Sequence, residues 1–77
     1  MNYTQEEQEL IDSLEILEES EMVTNPYSEA SCRLEPLAVA LYDVIKGSEL
    51  LGDKDTMRIA LGIFMNRWSE EYFILLD

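Results

Sequence analysis

Glu35-Pro36-Leu37-Ala38-Val39-Ala40-Leu41-Tyr42-Asp43-Val44-Ile45 is the stretch on which the fold class turns. Proline at its second place suits the first turn of a helix, where the missing N–H has no partner to lose. The residues after it are apolar nearly all round the helical wheel, the mark of a helix buried at the centre of a domain. Ala38 and Ala40 are small enough to let neighbours approach closely. Gly52 is a better stop than Gly47, because Leu50 and Leu51 precede it and a polar Asp53-Lys54-Asp55 connection comes next. The pattern predicts a central helix over 36–51.

Downstream, Asp53 or Asp55 caps a third helix, about 55–67, in which Met57, Ala60, Leu61, Phe64 and Trp68 recur at spacings of three and four. Ile59 and Ile63 form a second apolar line on that helix, more than one packing surface requires. Ser69 is placed to cap a short final helix, about 70–76. Upstream, Thr4-Gln5-Glu6-Glu7 has the capping-box form, in which hydroxyl and carboxylate satisfy free amides at a helix start. Leu10, Ile11, Leu14 and Leu17 then repeat at helical spacing, which predicts a first helix over 5–21. Glu18, Glu19 and Glu21 sit badly at its negative end. Between Thr24 and Leu34 the helical pattern lapses around an Asn25-Pro26 turn, and this part reads as a loop with one helical turn. The expectation is an all-α fold: a small bundle of three main helices and a short fourth, in one domain spanning 1–77.

The 77 residues hold 17 acids, five bases and no histidine, a net charge of −12. Ten of the acids and one base (Arg33) lie in residues 1–35, so the amino-terminal half carries −9. Such a charge repels nucleic acid and anionic membranes and attracts basic proteins. Hydrophobic residues make up 47% of the chain, enough for a core, while no apolar run approaches the roughly 20 residues of a membrane helix. The start, Met1-Asn2-Tyr3-Thr4, lacks the basic and apolar regions of a secretory signal, which predicts a cytoplasmic protein. Cys32, the single cysteine, reads as a small half-buried apolar residue in a reducing compartment.

Most catalytic chemistry is excluded by residue type. Without histidine there is no Ser-His-Asp or Cys-His arrangement, and one cysteine cannot build an ordinary zinc site. No glycine-rich phosphate cradle is present. Asp53-Lys54-Asp55 begins like a calcium loop and then fails, with Arg58 where glycine belongs and Phe64 where the bidentate glutamate belongs. No enzyme, cofactor or metal is expected.

Two binding surfaces are. On a helix over 5–21, Asp12, Glu15 and Glu19 share the side opposite the leucines, and eight acids between 6 and 21 span about 22 Å. That is roughly one charge per 3 Å, close to the phosphate spacing of a DNA strand, the logic of a DNA mimic. Ile16 interrupts the row. The other surface is the carboxyl-terminal cluster containing Trp68, Tyr72 and Phe73, residue types favoured as interface anchors. Together with Ile59 and Ile63 it suggests an apolar docking face or a homodimer.

Residues 25–77 resemble a family of short uncharacterised bacteriophage proteins. The likeness is carried by Asn25-Pro26-Tyr27-Ser28, by Pro36 through Asp43, by Ile45-Lys46-Gly47, by Glu49-Leu50-Leu51-Gly52 and by the ending Trp68 to Asp77. These are mostly packing residues, so the resemblance implies shared fold and context and no activity. The context is a small phage protein working in a bacterial cytoplasm, a class that often binds and disables host machinery. The expected function is therefore binding to a host protein with a basic surface, such as a nucleic-acid-handling enzyme, with no direct contact to nucleic acid or membrane. The alternative is a structural homo-oligomer.

Overall fold

The computed structural model describes residues 3–16 and 18–76. It has the order α1 (Gln5–Ser13), β1 (Glu21–Thr24), β2 (Ser31–Leu34), α2 (Pro36–Leu51), α3 (Lys54–Arg67) and α4 (Ser69–Leu75). The all-α expectation is overturned: four helices accompany a two-stranded antiparallel sheet, and the fold is mixed.

The correction lies in residues 14–34. α1 starts as its capping box dictates, with Thr4 Oγ1 accepting from the Glu7 amide and Glu7 Oε1 accepting from the Thr4 amide. It stops at Ser13, well short of residue 21, and Leu14 turns extended. The poor fit of Glu18, Glu19 and Glu21 to the negative end of a dipole is the physical reason a longer helix gains nothing. Leu17, the last member of the expected apolar stripe, lies outside the described residues, as does Asp77.

β1 and β2 pair as a hairpin in the register Glu21↔Leu34, Met22↔Arg33, Val23↔Cys32 and Thr24↔Ser31. Alternation puts Val23, Cys32 and Leu34 against the core and leaves Met22, Arg33, Thr24 and Ser31 exposed. Outside, the Thr24 and Ser31 hydroxyls share a hydrogen bond of 2.7 Å. Asn25 closes the turn. Its amide donates to the Ala30 carbonyl and its own carbonyl accepts from Glu29, both at 2.8 Å. Its Oδ1 accepts from the Tyr27 amide at 2.9 Å. Glu29 takes the left-handed conformation at φ 64° that brings the chain back.

α2 has the bounds expected for the central helix, but it is buried on one side only, through Ala38, Val39, Leu41, Ile45 and Ser48. Gly52 ends it at φ 74°, a left-handed cap that glycine adopts without strain. α3 then starts on Asp53, whose carboxylate accepts from the Thr56 amide and hydroxyl. Ser69 does not cap α4. The N-cap is Trp68, with no side-chain bond to the helix, and Ser69 is the first helical residue.

Leu34, Ala38, Val39, Leu41, Ile45, Ala60, Ile63, Phe64, Trp68 and Leu75 form the core. The surplus apolar line of α3 is spent inside the chain: Ile63 is 1% exposed, and Leu10, Ile11 and Leu14 of the α1 region pack against the cluster. Ile59, by contrast, is only partly buried and faces the cleft between α1 and α3. Among the described residues, no helix is long and apolar enough to cross a membrane.

Candidate interaction surface

Glu35, Arg67, Trp68 and Tyr3 meet where three segments join. Trp68 Nε1 donates to Glu35 Oε1 at 3.1 Å, and Arg67 lies 3.8 Å from the same oxygen. Arg67 also donates to the Tyr3 hydroxyl at 2.7 Å and stacks 4.9 Å from the Trp68 ring centre. Glu35, the N-cap of α2, thus turns its carboxylate away from its own helix. Trp68 is 7% exposed and packs on Phe64. It is a core residue that clamps the α3–α4 corner, so it cannot anchor a partner as expected.

The other two aromatic candidates are open to different degrees. Phe73 is 65% exposed, with Tyr72 edge-on at 5.6 Å. Tyr72 is half-buried and lines a shallow hollow of about 260 Å³ with Ile45, Lys46, Glu49, Met57 and Leu61. A second, more open cleft of about 730 Å³ separates Glu6 and Glu9 of α1 from Arg58, Ile59 and Gly62 of α3. The second cleft is also lined by Thr4, Gln5 and Glu7, so its walls are mostly polar and acidic.

The acidic candidates do not form a helical stripe. Asp12 is on α1, where it accepts from Gln8 Nε2 at 2.9 Å. Glu15 and Glu19 lie in the irregular segment between α1 and β1. With α1 only about 13 Å long, a row of carboxylates at phosphate spacing along one helix is not available. These three are nevertheless at the surface. Glu9, Asp12, Glu15, Glu18, Glu19, Glu21 and Glu29 are exposed, and none makes an ion pair among the described residues. Three of the five bases pair with other acids: Arg58 reaches Glu6 at 3.6 Å, Lys46 reaches Glu49 at 4.0 Å, and Arg67 holds the corner.

Two titratable groups depart from their ordinary behaviour, each for a structural cause. Burial, and then the Glu71 carboxylate, push the Cys32 thiol up, which keeps it protonated and a poor nucleophile at neutral pH. The hydrogen bonds from Thr56 hold Asp53 below the usual aspartate range. Because the folded value is the lower one, the cap stabilises the fold above the unfolded carboxyl's range and loses that effect as pH falls through the folded value. Asp53→Ala is thus expected to lower the melting temperature at neutral pH, with the gap to the parent closing in acid. Melts across the acid range check this, and a gap independent of pH would contradict it.

Two exposed leucines depart from what their helix pattern implies. Leu50 and Leu51 are 88% and 86% exposed, although a helix apolar all round reads as buried. Comparison with family models, curated proteins and solved structures finds no match to this chain.

Proposed function

We propose that this chain is a non-enzymatic interaction protein that binds a basic surface on another protein through the acids of residues 9–29. The observation that carries the reading is the set of seven exposed carboxylates without ion-pair partners among the described residues. A surface of this kind holds a field of one sign, which raises encounter rates with cationic partners and turns away nucleic acid and anionic lipid. Phe73 supplies an exposed apolar contact beside Tyr72. The reading takes residues 25–77 as phage-type, which would put the partner in a bacterial host's cytoplasm. It favours a nucleic-acid-handling machine, whose basic groove suits an acidic ligand. The DNA-mimic form survives only as a basic-groove competitor, without a phosphate-spaced helix.

The test is a tagged pull-down from bacterial lysate, washed at rising salt. One basic protein that survives moderate salt and leaves at high salt supports the reading, because exposed charge pairs are screened beyond about 10 Å at 0.1 M salt. Reversing Asp12, Glu15 and Glu19 to lysine together is expected to weaken that complex at least tenfold, about 1.4 kcal/mol. Unchanged retention of the triple variant removes the acidic surface from the interface.

A further inference from the structure

We propose that the open edge of β1 takes an extended basic segment of the partner protein as a third strand. This rests on the acidic-surface reading and names the part of the partner that the surface would hold. The Asn25 amide donates to the Ala30 carbonyl, and these two residues continue the register of the hairpin. In an antiparallel pair bonded and non-bonded positions alternate, so Val23 and Glu21 also turn their amides and carbonyls toward β2. Met22 and Thr24 therefore turn theirs outward. The 2.7 Å bond between the Thr24 and Ser31 hydroxyls agrees, because side chains approach closest at non-bonded pairs. β2 is the strand that packs on α2 and α4, which leaves β1 as the outer one. Among the described residues, no backbone group bonds to the outward amides and carbonyls of Met22 and Thr24.

An unpaired strand edge is a template for another strand, and charge selects which one. Glu18 and Glu19 lead into β1 and Glu21 begins it. All three are exposed and make no ion pair among the described residues. A second copy brings its own acids to this edge and is repelled by them, whereas a basic strand is attracted. The two faces of the edge ask for different side chains. Glu21 shares one face with Val23, while Met22, 59% exposed, shares the other with Thr24 and Arg33. Arg33 turns cations away from the Met22 face. The matching segment therefore alternates, with lysine or arginine beside Glu21 and an apolar side chain beside Met22.

The probe is a short synthetic peptide alternating lysine and valine, added at low salt to the full chain labelled with nitrogen-15. In the free chain the Met22 and Thr24 amides should exchange freely with solvent, and in the complex exchange should slow about tenfold or more. The same peptide, N-methylated along its pairing edge and unchanged in charge, should bind about tenfold more weakly. Met22→Pro removes an outward donor and breaks no bond of the hairpin. It should weaken binding of the unmodified peptide by a similar factor, with circular dichroism unchanged. Equal binding of both peptides, with shifts spread over residues 9–29, overturns the edge and leaves the acidic surface standing. Failure of both peptides to bind, or Met22 and Thr24 amides already protected in the free chain, also overturns the edge. The acidic-surface reading is then decided separately by the Asp12, Glu15 and Glu19 triple variant.

Discussion

Trp68→Ala is expected to destabilise the protein by about 3–5 kcal/mol, the range for truncating a large buried aromatic. A chain of this length has a total stability of only about 4–11 kcal/mol, so a substantial unfolded fraction at physiological temperature is the expected consequence. The loss has three sources. The ring is 7% exposed and packs on Phe64, so its removal leaves a cavity at the α3–α4 corner. Glu35 loses the indole N–H that it accepts, and Arg67 loses the ring beneath its guanidinium. Tyr3 is then tied to an arginine with less to hold it in place. Trp68→Phe separates these effects, because it keeps most of the packing and drops the indole bond, at a cost of about 1–2 kcal/mol. Urea unfolding tracked by circular dichroism measures both variants. If Trp68→Ala falls within about 1 kcal/mol of the parent, the residue is not part of the core and its role as an exposed anchor returns.

The second large effect belongs to Asn25, which is polar, 6% exposed and bonded in two directions. Its Nδ2 donates to the Ile74 carbonyl at 3.0 Å, tying the hairpin tip to α4, while its Oδ1 holds the Tyr27 amide. Asn25→Ala leaves a carbonyl and an amide without partners and is expected to cost about 2–3 kcal/mol, since each stranded buried group costs about 1–3 kcal/mol. Asn25→Asp keeps the acceptor for Tyr27 but turns a carboxylate oxygen toward the Ile74 carbonyl. At neutral pH it should therefore be no better than alanine. Amide exchange gives the sharper reading: protection in 21–34 should fall together with that of α4. Loss confined to the turn would mean that the bond to Ile74 carries no weight.

Much of the helical scaffold is legible in local patterns, because helix ends and capping residues are set by neighbours a few places away. Thr4 and Glu7 are bonded as their spacing implies, Asp53 caps α3, and Gly52 ends α2. The hairpin was not legible. Each strand is four residues, too short for period-two alternation to stand out, and the polar Glu21, Ser31 and Arg33 mask it. The misfit of three glutamates with a helix end was visible, and it was outweighed by leucine spacing that in fact stops being helical after Ser13.

The sequence alone therefore determined the charge, the lack of histidine and the three helices from Pro36 onward, since all of these depend on residue type or on contacts within a turn or two. Only the tertiary structure decided which apolar residues are core and which are surface. Trp68 is buried because Glu35, 33 residues away, receives its N–H. Ile63 is buried in a core that the α1 region helps to cover, and Leu50 and Leu51 are exposed because no element among the described residues covers them. Burial is a property of what lies opposite a residue, and what lies opposite is fixed by chain segments that local pattern does not connect.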